Sequence, residues 1–175
     1  SEEVAAEPLV VRKALATAYV LNNMPIFIRD DELIVGNQLM GAIELGRTFP
    51  RYATEEELAA AEKEGFNEES VWGHHPANYE NLLKKGLCGY RAEVQKKTEA
   101  EQAGDSEKVA FYRASEICLD ALRDFALRYA DLARDMAERE EDEIRKGELL
   151  EITRICTVVP ERPADSFHEA LQSFW

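Results

Sequence analysis

The stretch "NNMPIFIRDDELIVGN", residues 22–37, decides how the first part of this chain is read. Upstream of it, Val4 to Asn23 carries Leu9, Val10, Leu15, Ala18 and Tyr19 at spacings that predict an amphipathic helix. Pro25 ends that helix, because the residue before a proline avoids the helical region. Ile26-Phe27-Ile28 and Leu33-Ile34-Val35 then flank Arg29-Asp30-Asp31-Glu32, which reads as two short strands or a hairpin. The turn acids could be paired for acid–base work, but acids between extended segments more often face water or cap backbone amides.

Composition narrows the classes. The chain has 175 residues, 45% hydrophobic and 32% charged, with a net charge of −14. That length is about one domain and can bury a core. So acidic a surface repels nucleic acid and anionic membranes, so neither is expected as a partner. No apolar run of about 18 residues and no leader pattern is present, and a cytoplasmic location is expected. Cys88, Cys118 and Cys156 are widely spaced and odd in number, which argues for free buried thiols rather than a disulfide framework or zinc site.

Helices dominate the remainder. Thr54 with Glu57 forms a capping-box pattern opening a short acidic helix that stops at Gly65. Pro76 could be the first helical residue of the next element, a helix from Asn78 to about Ala103. Gly86 and Gly89 within it cost about 1 kcal/mol each against alanine, so a kink or close packing is expected. After Gly104-Asp105, a stripe of Val109, Tyr112, Ile117, Leu119, Leu122, Phe125, Tyr129, Leu132 and Met136 predicts a long helix with a buried face. A charged joint leads into a helix ending near Val159, broken by Pro160 and Pro163. Ser166 and Glu169 form a second capping-box pattern. The helix they open is strongly apolar, and the chain reads as the front portion of something longer.

The densest group of reactive side chains is "SVWGHHPANYE", residues 70–80. His74, His75 and Tyr79 could line a polar pocket or belong to a structural loop. Adjacent histidines do not share a helix face, so a metal site is disfavoured. Cys88 in "GLCGY" lacks a base at a telling spacing and reads as packing. The residues by themselves describe a helical scaffold with one candidate pocket loop.

Four stretches together carry a resemblance. "RKALA…NNMPIFIRDDELIVGN" (12–37), "GHHPANYENLLKKGLCGY" (73–90), "RYADLARDMA" (128–137) and "RKGELLEITRICTVVPERPADSFHEALQSFW" (145–175) resemble the N-terminal part of the glycyl radical enzymes, the pyruvate formate-lyase-like family. The matches fall in the family's order and cover most of the chain. The implied fold is mainly α: the helical N-terminal part of an α/β barrel, with a short β segment near residues 26–35. Within one such domain, residues 1–50 would hold a helix and the β segment, and 51–78 the acidic helix and pocket loop. Long helices would occupy 79–159, and a further helix would start at 166–175.

The resemblance implies radical chemistry in the complete protein, cleaving C–C, C–O or C–N bonds of a small organic substrate. In the family a backbone glycyl radical is installed by an S-adenosylmethionine iron–sulfur activase, and a thiyl cysteine abstracts hydrogen from substrate. These 175 residues hold no "RVxGY"-type radical loop, and none of the three cysteines has the thiyl-loop context. The chain alone is therefore expected to be inert, with no catalytic residue and no metal of its own. The family's "GHxxxDY" loop carries over to His74 and Asn78 as substrate-binding residues. Asn78 stands where the family often has aspartate, and its neutral amide disfavours a cationic substrate. Ser70 replaces a frequent aromatic residue, and the link from Pro50 to Gly73 is short for the family. Expected partners are the rest of the parent chain, the activating enzyme, a small-molecule substrate and further copies in a homo-oligomer. The other class of reading is a non-enzymatic helical module or family remnant that packs on a partner through Phe174 and Trp175.

Overall fold

The computed structural model describes residues 4, 6–36, 50–65, 77–101 and 105–175, and among these the regular structure is helical, with no strand. The longest helix organises the rest. Here it is α4, Ser106–Ala137, 32 residues or about 48 Å at 1.5 Å per residue. Asp105 caps it, its carboxylate accepting from the Glu107 and Lys108 amides.

The buried positions of α4 are Ala110, Ala114, Ala121, Tyr129, Ala130, Ala133 and Ala137. This corrects the stripe read from the sequence: of its residues only Tyr129 is buried, and Val109 and Leu122 are exposed. The cause is close packing of neighbouring helices over alanine, which leaves bulky residues at the flanks.

Helix α1, Leu9–Asn23, lies along the first half of α4, with Val11 and Ala14 against Ala110 and Ala114. It begins at Leu9 rather than Val4, since Pro8 sits at the N-cap. Its buried face is Val11, Arg12, Ala14, Ala16 and Val20, so Leu9, Val10 and Tyr19 are exposed, contrary to the periodicity reading. Met24 ends it in extended conformation, as Pro25 requires. Arg128 of α4 donates to the carbonyls of Leu21 and Met24, closing the helix end.

Helix α2, Glu55–Lys63, has both halves of its capping box: Thr54 Oγ1 accepts the Glu57 amide and the Glu57 carboxylate accepts the Thr54 amide. Helix α3 covers Tyr79–Ala100 but breaks at Gly86, whose φ of +61° is left-handed. A Cβ there would lie 2.5 Å from the Glu161 carbonyl oxygen. The Leu87 and Cys88 amides instead donate to Pro160 and Glu161 oxygens, both at 2.9 Å. The kink is thus a second helix start capped by a distant turn. Arg91 ties the same place together, reaching Asp120 at 2.7 Å and Glu161 at 3.2 Å.

Helix α5, Glu143–Val158, folds back on the second half of α4. Leu149, Ile152 and Cys156 meet Ala130, Ala133 and Ala137 there, together with Ile28 and Val35 of the extended segment. Helix α6, Phe167–Phe174, packs on α3 and α5.

Residues 25–36 form no ladder with any described residue, which departs from the expected β segment. The triplets signal buried extended chain, and Ile28 and Val35 are buried; the partners of the backbone are side chains. Arg145 donates to the carbonyls of Arg29, at 2.8 Å, and Glu32, at 3.0 Å. The turn acids have no paired arrangement: Glu32 accepts the Arg29 amide at 2.8 Å, and Asp30 and Asp31 are exposed.

Candidate functional site

Three chain segments converge at one corner: residues 33–36, the start of α3 and the end of α6. The placement begins with the cap of α6. Ser166 Oγ accepts the Glu169 amide at 3.2 Å. The Glu169 carboxylate is 4% exposed. It accepts the Asp165 amide at 2.7 Å and Arg154 Nη1 at 2.7 Å. The Asp165 amide first, and the Arg154 guanidinium second, hold this carboxyl below its ordinary range. The capping box expected here is therefore modified, with the acid reaching one residue upstream and across to α5.

That cap aims one face of α6 at the extended segment. His168 Nε2 donates to the Leu33 carbonyl at 2.8 Å. One turn on, Gln172 accepts the Val35 amide at 2.9 Å and donates to the Val35 carbonyl at 2.6 Å. A side-chain amide thus supplies both hydrogen bonds that a neighbouring strand would have made. At the end of α6 the Phe174 ring meets Tyr79, with centroids 4.5 Å apart. The Trp175 indole lies over Gly36, where a Cβ would come within 2.7 Å of its Cδ1.

Of the two predicted substrate-binding residues, the structure places one. Asn78 is the exposed N-cap of α3, its Oδ1 accepting the Asn81 amide at 3.3 Å. His74 and its neighbour His75 lie outside the described residues, as do Ser70 and Pro76. The corner as described offers the Asn78 carboxamide and the rings of Tyr79, Phe174 and Trp175. Its carboxylate, Glu169, is taken up by Arg154 and the Asp165 amide.

The thiols divide by burial. Cys156 is buried, and burial pushes its thiol up to about 12. Cys118 is half-buried and shifted the same way. Cys88 is exposed, which corrects the expectation that it packs inside; the break at Gly86 turns it outward at the new helix start. Among the described residues no three His, Cys, Asp or Glu side chains are placed to hold a metal. No described helix is long and apolar enough to cross a membrane.

Arg145, His168 and Gln172 were not singled out by sequence reasoning, although they build this corner. The available signal was the four-residue spacing of His168 and Gln172, which puts two polar groups on one face of an otherwise apolar helix.

Comparison with known proteins places this geometry. The family described as "Pyruvate formate lyase-like" matches residues 1–68 and 51–175. An isethionate sulfite-lyase from Oleidesulfovibrio alaskensis is 38% identical over 118 residues, covering 65% of this chain and 14% of that protein. One from Desulfovibrio desulfuricans is 28% identical, covering 99% of this chain and 29% of that protein. A solved structure concerned with 1,2-propanediol dehydration in Roseburia inulinivorans superposes with a TM-score of 0.77 at 33% identity. It covers 97% of this chain and 28% of that one. A glycyl radical enzyme from Archaeoglobus fulgidus gives 0.74 at 28% identity, covering 97% and 29% respectively.

The chain thus spans less than a third of the length of these relatives. The alignment to the Desulfovibrio desulfuricans protein runs over 241 positions, against 175 residues here, so that relative carries a stretch this chain lacks. The two family-matched stretches overlap at residues 51–68, within the Pro50–Gly73 link.

Proposed function

The chain belongs to the pyruvate formate lyase-like family, and from that premise we propose that it is the N-terminal part of a glycyl radical enzyme whose complete form eliminates a small group from a small organic substrate. The observation that carries the reading is mutual: the stretches that resemble the family bond to one another. Arg145, His168 and Gln172 clamp the Arg29–Val35 segment.

Elimination is favoured over acyl transfer by the names of the similar proteins. Isethionate sulfite-lyase loses sulfite, and trans-4-hydroxy-L-proline dehydratase and glycerol dehydratase lose water. A polyol or hydroxylated sulfonate is the substrate class that fits, with cleavage at C–O or C–S. In this reading His74 and Asn78 contact substrate, and the Asn78 amide donates to an oxygen rather than pairing with a cation. The radical glycine and thiyl cysteine belong to the rest of the parent chain, which also builds the α/β barrel around this scaffold. Cys88, Cys118 and Cys156 take no part in the chemistry, and this chain alone is inert. An S-adenosylmethionine iron–sulfur activase would install the radical. The parent would act in the cytoplasm as a homo-oligomer.

The test uses the complete enzyme after activation. A glycyl radical signal by electron paramagnetic resonance is expected, and its absence counts against the class. His74→Ala should lower turnover of a diol or hydroxysulfonate by about a hundredfold while leaving the fold intact, the scale of removing a positioned polar group. Unchanged turnover removes His74 from the site.

A further inference from the structure

Helix α2 is regular at both ends, yet it contributes no buried side chain. Its polar attachment to α1 runs through Arg12, which is 7% exposed. Arg12 Nη1 donates to the Tyr52 carbonyl at 2.7 Å, and Nη2 to Glu57 Oε1 at 2.5 Å. The neighbouring Lys13 ammonium stands 5.9 Å from the Tyr52 ring centre. Glu57 uses its other oxygen for the Thr54 amide, at 2.7 Å. One carboxylate therefore closes the helix cap and receives the buried guanidinium. Arg12 Nε is buried without an acceptor among the described residues. At the far end, Gly65 has a φ of +81°, and no described residue lies within 4 Å of the position a Cβ would take.

We propose that α2 is a strap that docks on α1 and releases from it as a unit, with Arg12 as its catch. A buried guanidinium needs a carboxylate and carbonyls around it, so the clasp favours the docked state. No buried side chain of α2 adds to it. Release leaves the helix itself capped, since Thr54 and Glu57 satisfy each other locally. Gly65, with its positive φ, supplies a turn at the far end.

Hydrogen exchange followed by mass spectrometry on the 175-residue chain tests the strap. In Arg12→Met, the amides of residues 58–63 should exchange about ten-fold faster, while those of 129–137 and 149–156 stay as in the parent protein, the pattern of a local opening. Glu57→Gln keeps one oxygen to accept the Thr54 amide, while it removes the charge and replaces the oxygen that receives Arg12 with an amide nitrogen. It should accelerate the same residues to a smaller extent, and it guards against a folding defect in the arginine variant. Unchanged exchange in residues 58–63 for both variants overturns the proposal. So does equal acceleration throughout α4 and α5, which would make Arg12 a general core residue.

Discussion

Residues 24–36 and helix α2 hold their backbones in opposite ways. The first has no helix and, among the described residues, no partner strand, yet Met24, Ile28 and Val35 are buried and its carbonyls at Met24, Arg29, Glu32, Leu33 and Val35 each accept from a side chain. The second has complete caps and satisfies its backbone internally, yet none of its residues is fully buried. Burying one aliphatic side chain fully contributes about 1.5–3 kcal/mol, so the irregular segment has much the stronger hold on the fold. Regularity reports local satisfaction of hydrogen bonds. Attachment is decided by buried surface and by side chains brought from far along the chain.

The largest test of this contrast is Arg145→Met. Arg145 is 12% exposed and serves Arg29, Glu32 and Glu148 at once. Losing charge-assisted bonds to two carbonyls should cost about 2–3 kcal/mol in urea unfolding, with an unchanged denaturant slope. A loss below about 0.5 kcal/mol, the range of ordinary surface substitutions, would show that the segment is held by its apolar contacts alone.

A smaller effect, dependent on pH, is expected at Glu169. Its folded pKa lies below the ordinary value of 4.5, mainly through the Asp165 amide and then Arg154. A carboxyl depressed on folding adds stability above its unfolded value, and that contribution is lost as pH falls through the folded value. Glu169→Gln should therefore be less stable than the parent chain at pH 7 by about 1–2 kcal/mol. The gap should narrow as pH drops below about 4.5, where the carboxyl of the unfolded chain takes up its proton first, and close once pH falls past the lower folded value. A gap independent of pH would assign the role of Glu169 to shape rather than charge.

Much of the helical framework was legible because its signals are local. Thr54 with Glu57, the Gly104-Asp105 restart, and the prolines after Val159 mark ends by chemistry within a few residues. The buried faces were less legible, since periodicity weights bulk, and α4 approaches its neighbours through alanines. The Gly86 break could be anticipated as a cost but not as a capped restart, because the capping carbonyls belong to Pro160 and Glu161. The same reason hid the fate of residues 26–35. Their β-branched and aromatic triplets encode extended chain, while their partners sit at positions 145, 168 and 172. Of the candidate site, the family motifs marked Asn78 and His74, and only Asn78 falls among the described residues.

The smallest effect is the most discriminating. Thr54→Ala removes the cap oxygen that accepts the Glu57 amide at 3.2 Å. Such caps contribute about 1 kcal/mol to their own helix. If α2 is held apart from the cooperative core, that loss stays local. The Glu57 amide then exchanges faster while the thermal midpoint of the chain does not move. If α2 were part of the core, the same loss would lower the midpoint by about 2–4 °C for a chain of this size. A shift of that order would erase the difference between the two regions, because a helix whose cap is felt globally is no strap.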